Sequence, residues 1–125
     1  MSLPFSFEMD APANPWSTND ERRMHHLVRA GYVSAWRDAT KLIYRSACRK
    51  AKRDIPLEPG IVRITIPFGT KRRRDPHNYC GTVLKAVIDG LVEAGAWPDD
   101  SPEWVDHLQP VLVKGKKVRV EILPR

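Results

Sequence analysis

Lys71-Arg72-Arg73-Arg74-Asp75-Pro76-His77-Asn78, read on through Lys85 and Asp89 to Asp99-Asp100, is the stretch around which this chain is organised. Ile61 to Phe68, just before it, is β-branched and alternating, which predicts a strand closed by Gly69. Four consecutive cations then meet an acid. From about Pro76 or Asn78 to Ala94, the residues Val83, Leu84, Val87, Ile88, Leu91 and Ala94 recur at helical steps and predict a buried stripe. Gly95 follows in the position where a helix stop favours glycine. A strand and a helix therefore meet at a cationic run, and the helix leads to a second pair of carboxylates. So dense a mixture of charges repels itself unless something holds it, and a divalent cation on the acids with a phosphate backbone on the cations would do so.

Upstream, Leu3 to Met9 alternates with Phe5 and Phe7 on one face, predicting a short strand, at an edge because of Pro4. Asp10 to Asp20 carries Pro12, Asn14, Pro15 and Ser17 and reads as a loop. Trp16 within it either plugs the core or offers a platform for a base; burial is the default for so large an aromatic. A long helix is expected from about Asn19 or Asp20 to Lys52, with a break at Gly31. Its apolar stripe takes in Leu27, Val28, Tyr32, Ala35, Trp36, Ala39, Leu42, Ile43 and Ala47. The opposite face carries Arg37, Lys41, Arg45, Arg49 and Lys52, either a solvated face or a phosphate-contacting one.

Downstream, Trp104 to Val113 and Val118 to Leu123 read as two strands, and Lys114-Gly115-Lys116-Lys117 as the turn of a hairpin between them. The element order is β-α-β-α-β-β. The expected class is α+β, a mixed sheet packed by two helices, in one domain of 125 residues.

Charge sets the class of partner. The formal net charge is +6, and the cations cluster at residues 41–53, 71–74 and 114–119, which favours a polyanion. Met1-Ser2-Leu3-Pro4-Phe5 has neither a cationic region nor a long apolar run, so no signal peptide is expected. No stretch approaches the roughly 18 apolar residues that span a bilayer. Cys48 and Cys80 fall inside expected helices and read as reduced thiols, which suits a bacterial or phage-infected cytoplasm. His77-x-x-Cys80 has no second pair at zinc-ligand spacing.

Phosphodiester hydrolysis needs oxygen ligands for a hard cation, Mg²⁺ or Mn²⁺, and a nearby Lys or Arg to offset charge on the phosphoryl oxygens. Asp75, Asp99 and Asp100 supply the carboxylates, and Asp89 lies four residues beyond Lys85 on the same helix face. A straight helix from Asp75 would hold Asp75 and Asp100 far apart at about 1.5 Å per residue. Either Gly81 interrupts the helix, with regular winding from near Thr82, or the Ala96–Ser101 loop folds back along it. Asn78 either caps the helix or contacts a ligand.

These residues resemble the RusA-type Holliday junction resolvases. In that family an Arg-Asp-x-Asp-Asn segment precedes a lysine, and an Asp-x-Leu-x-x-x-Gly helix end leads to an Asp-Asp pair. Here Arg74-Asp75-Pro76-His77-Asn78, Lys85, Asp89-Gly90-Leu91 to Gly95, and Asp99-Asp100 match it across residues 71–101. Asn14 to Asp38 also resembles the N-terminal region of phage and actinobacterial members. The resemblance implies a homodimeric, magnesium-dependent endonuclease that cuts branched DNA, four-way junctions above all. It makes Asp75 and Asp100 metal-binding acids, with Asp99 the other member of the distal pair, Lys85 the catalytic lysine and Asp89 a supporting residue. Lys71 to Arg74 (Lys71, Arg72, Arg73, Arg74), with Lys85, would contact DNA. The second aspartate of the motif is His77 here, which either binds Mn²⁺, and less readily Mg²⁺, or acts as a general base. Tyr79-Cys80-Gly81-Thr82 reads as an insertion between Asn78 and Lys85. The alternative is a DNA-binding protein that keeps the basic surface and has lost turnover through His77.

Overall fold

A computed structural model describes residues 3–125; Met1 and Ser2, which the signal-peptide reading included, lie outside the described residues. The first strand, β1 (Phe5–Asp10), buries Phe7 and Met9 and, among the described residues, pairs only with the last strand, so it is an edge. Ser17 then starts α1 (Thr18–Glu21): its hydroxyl accepts from the Asp20 amide at 3.1 Å while the Asp20 carboxylate accepts from the Ser17 amide at 2.9 Å. This reciprocal cap fixes a single helical turn. The chain breaks at Arg22–His25, and His25 starts the next helix, its Nδ1 accepting from the Leu27 amide at 3.2 Å. The predicted break at Gly31 is therefore displaced upstream, because a second cap, not a weak helix former, interrupts the winding; Gly31 lies inside α2 (His26–Lys50).

The buried stripe of α2 is Trp36, Thr40, Tyr44 and Cys48, one residue every fourth position. Leu27, Val28 and Leu42 do not belong to it; they are 68%, 51% and 64% exposed. The basic face is not wholly solvated either. Arg37 and Lys41 reach Glu93 at 3.2 and 3.4 Å, and Arg45 Nε donates to the Ala94 carbonyl at 3.4 Å. These contacts lock α2 to α3 (Lys85–Ala94).

The centre of the sheet is β2 (Gly60–Phe68), which turns Val62, Ile64, Ile66 and Phe68 toward the helices. Beyond it come β3 (Val105–His107), β4 (Val111–Lys114) and β5 (Lys117–Pro124). The order is β1-β5-β2-β3, with β4 also on β2, and β3 and β4 run parallel to β2 while β5 is antiparallel to it. The mixed α+β architecture expected from the sequence is present. Two details differ. The single strand expected over Trp104 to Val113 is divided by Leu108–Pro110, where Pro110 has no amide hydrogen to give the ladder. The expected β4–β5 hairpin does not form either: the two strands straddle β2, one on each side. Gly115 arches over the end of β2 and donates to the Phe68 carbonyl at 3.0 Å. Apolar demand explains this, since Ile64 and Ile66 are completely buried and a strand so apolar belongs between neighbours rather than at an edge.

The two longer helices, α2 and α3, lie on one face of the sheet. On the other, Arg63 makes a bidentate pair with Glu121, its direct cross-strand neighbour, at 3.1 and 3.0 Å. The Glu121 carboxyl is held below its ordinary range by these bonds, although water still screens this partly exposed pair and limits its weight in stability.

Candidate functional site

The cationic run leaves β2 at Gly69, and the irregular segment after it is built in two parts. Asp75 caps a 3₁₀ turn (Pro76–Tyr79), its carboxylate accepting from the His77 amide at 3.0 Å, with Pro76 in the first helical position, where no amide hydrogen is needed. A π-helical turn (Cys80–Leu84) follows and feeds α3 directly. The sequence placed the irregularity at Gly81, with regular winding from Thr82. Instead the irregular winding runs from Pro76 to Leu84, and a Cβ at Gly81 would meet nothing within 4 Å, so no close approach demands the glycine.

Two buried anchors hold this segment. The Thr82 hydroxyl donates to the Trp16 carbonyl at 2.6 Å, and Tyr79 packs edge-on against Phe68 with ring centres 5.4 Å apart. Trp16 is almost wholly buried and its indole N–H donates to Glu21 at 2.9 Å, so it is a core plug rather than a platform. Replacing Thr82 by Val leaves the Trp16 carbonyl unpaired; the expected loss is about 1–3 kcal/mol, read as a fall in the thermal midpoint.

Lys85 opens α3 and is the meeting point of the site. Its Nζ donates to Asp89 at 2.7 Å and to Asp100 at 2.8 Å. The first contact follows from i,i+4 spacing on one helix face. The second requires the loop after α3 to return along the helix. That return begins at Gly95, whose φ of 104° is left-handed and whose amide closes the helix, and continues through Ala96, whose carbonyl accepts from the Leu57 amide at 2.9 Å. Trp97 is buried and donates from its indole to the Glu58 carbonyl at 2.9 Å, which aims Pro98-Asp99-Asp100 back over the helix. The folding back of the Ala96–Ser101 loop is thus the device that brings the distal acid to the helix.

The electrostatics follow. Accepting from Lys85 holds the Asp100 carboxyl below its ordinary value, and Asp100 and Asp89 together raise the Lys85 ammonium above its own. Asp99 is also lowered, by hydrogen bonds from Ser101, whose amide donates to it at 2.8 Å. Cys80 is pushed up by burial and by the negative charge of Asp75. All three members of the Lys85 cluster remain substantially exposed to solvent.

The structure thus joins Lys85, Asp89 and Asp100, the first two through the helix face they share and the third through the returning loop. Asp75 is engaged with the turn it caps, and His77 is exposed beside it. Among the described residues no group of three His, Cys, Asp or Glu is arranged to hold a metal ion. Carboxylate oxygens are the ligands a hard divalent cation takes, and those of Asp89 and Asp100 converge on one positive charge, the Lys85 ammonium.

The arch of Gly115 over β2 has a second effect. It brings Lys114 beside the cationic run, so Lys71, Arg72, Arg74 and Lys114 wall a cleft of about 470 Å³ floored by Phe68 and Leu112. The Arg74 guanidinium lies 3.9 Å from the centre of the Phe68 ring and donates to the Thr70 carbonyl at 3.1 Å, so it is held rather than trailing in solvent. Lys114 was visible in the sequence only as part of a separate basic cluster; nothing local to it announced this neighbour.

No family model matches the chain. It is 31% identical over 111 residues to the crossover junction endodeoxyribonuclease RusA of Escherichia coli K12, an alignment covering 86% of this chain and 88% of that protein. The RusA of Shigella sonnei is 30% identical over the same shares. With an alignment of that extent, together with a mixed sheet and helices compatible with the fold, the chain belongs to the RusA family of crossover junction endodeoxyribonucleases.

Proposed function

We propose that the protein cuts four-way DNA junctions by paired nicks in a Mg²⁺- or Mn²⁺-dependent reaction, two copies acting about a two-fold axis. The observation that carries this reading is the exposed Lys85 ammonium held between Asp89 and Asp100 on the helix that follows a strongly cationic segment. Endonucleolytic action on crossover junctions is what the relatives' name says of them.

In this reading Asp75 and Asp100, with His77 and Asp99 at hand, hold the cation. When bound, such an ion supplies Lewis acidity at the phosphoryl group and a hydroxide near neutral pH. The remaining work falls to the chain. Lys85 stays protonated because two carboxylates accept from it, and Nζ offsets charge developing on the non-bridging oxygens. Asp89 positions that ammonium from one helical turn away. Lys71, Arg72, Arg74 and Lys114 hold the phosphate backbone in the cleft beside the scissile bond.

A labelled synthetic four-way junction incubated with the protein and Mg²⁺ or Mn²⁺ tests the reading. Symmetric nicks are expected, and Asp75→Asn or Asp100→Asn should cut at least about a hundredfold more slowly while still shifting the junction on a gel. A gel shift without nicks in the unaltered protein, with either metal, would identify a non-catalytic binder instead. Normal cutting by both variants would reject the site.

A further inference from the structure

A second concavity, of about 640 Å³, lies away from Lys85. It is walled by Arg45, Arg49 and Arg53, with Asp54 at the rim and Cys48 and Ile55 at the floor. It forms where α2 ends and the linker doubles back, and the Tyr44 hydroxyl donates to the Ile55 carbonyl to pin that return. The arginines come from successive turns, so their convergence is a product of helical spacing carried past the helix end.

Complementing the negative end of the helix dipole accounts for Arg49 and Lys50, which lie in the last turn. It does not account for Arg45, a turn earlier, which lines the cavity and donates from Nε to the Ala94 carbonyl at 3.4 Å. Nor does it account for Arg53, beyond the helix, whose guanidinium sits 4.2 Å from the centre of the Phe5 ring. The Arg49 guanidinium makes no hydrogen bond or ion pair among the described residues. Three arginines and one exposed carboxylate line an open concavity, an arrangement suited to phosphate, which arginine binds in bidentate fashion.

We propose that this pocket takes a backbone phosphate of a DNA arm, as a second contact remote from the cutting point. The inference rests on the DNA reading above. Ala94, whose carbonyl accepts from Arg45, ends the helix that Lys85 begins, and that length of helix rises about 14 Å. The span corresponds to about four base pairs of duplex. The contact therefore reads an arm's presence and direction rather than its sequence, since phosphates position and bases specify.

The test compares binding of a fluorescein-labelled four-way junction and a linear duplex over a salt series without divalent metal. Arg45→Gln with Arg49→Gln should lower the slope of log K against log salt by about 0.9 for each phosphate no longer held, and weaken junction binding roughly tenfold near physiological salt. Lys50→Gln with Lys52→Gln removes the same formal charge outside the pocket and should change the slope less. Asp54→Asn should tighten binding; it keeps the test decisive if the arginine pair fails to fold. Equal weakening by the arginine and lysine pairs, or none by the arginine pair, would overturn the pocket while leaving the DNA reading intact. Failure of the unaltered protein to bind either DNA would remove both.

Discussion

Lys85→Met is expected to bind a four-way junction within a few-fold of the unaltered protein and to cut it about 10²–10³-fold more slowly, the usual cost of losing one charged donor aimed at a transition state. The substitution keeps the length and apolar stem of the side chain and removes only the ammonium that Asp89 and Asp100 share. Its effect on stability should be no more than about 1 kcal/mol, because all three side chains are substantially exposed to water. That small term has a defined dependence on pH. Asp100 is lowered in the folded chain, so its contribution is present above the ordinary value of 3.8 and disappears as pH falls through the folded value. Lys85 is raised, so its contribution is present below the ordinary 10.5 and disappears as pH rises through the folded value. The difference in thermal midpoint between the two proteins should therefore be flat between those limits and narrow outside them. Cutting by Lys85→Met within threefold of normal, on a single-turnover time course, would remove the lysine from the chemistry.

The second large effect concerns Gly90, on the helix face turned to α2. A Cβ there would lie 2.5 Å from the Arg37 carbonyl oxygen and 2.8 Å from the Thr40 Cβ, and the nearer atom is backbone. Alanine is the better helix former by about 1 kcal/mol. Steric cost opposes it: overpacking costs about 1–3 kcal/mol, and here the obstacle is a helix backbone fixed by its own hydrogen bonds. The clash wins. Gly90→Ala should melt about 5–10 °C lower by circular dichroism, and Gly90→Val should fail to fold as a cooperative unit. Gly31→Ala is the control, since nothing lies within 4 Å of a Cβ there, and it should gain stability by about 0.5–1 kcal/mol. Equal behaviour of the two alanine variants would mean the helices tolerate a wider crossing.

The elements that the sequence revealed are those with a strict period. β2 and the stripe Val83, Leu84, Val87, Ile88, Leu91 and Ala94 were readable because every second or every third-to-fourth residue had to be apolar, and all six of those helical residues are buried. In the N-terminal helix the sequence points to Gly31, a weak helix former, as the break, whereas the imidazole of His25, an uncommon cap, sets it upstream. The absent hairpin is a failure of a different kind. Adjacent strands with a short basic turn pair locally unless a third strand claims the space between them, and only the burial demand of Ile64 and Ile66 says that it does. At the site, the Lys85–Asp89 contact followed from spacing alone. The return of Asp100 depended on Trp97 finding the Glu58 carbonyl, a partner across the fold that no local pattern encodes.

The π-helical turn before Lys85 holds about one more residue per turn than an α-helix does. Each residue of an α-helix advances the azimuth by about 100°, so an inserted residue would ordinarily twist one flank away from the other. Winding the extra chain into a wider loop absorbs it without re-aiming the ammonium or unseating Tyr79 from Phe68. By the same geometry, removing one residue from this wide turn restores α-helical winding and leaves the angular phase of α3 unchanged.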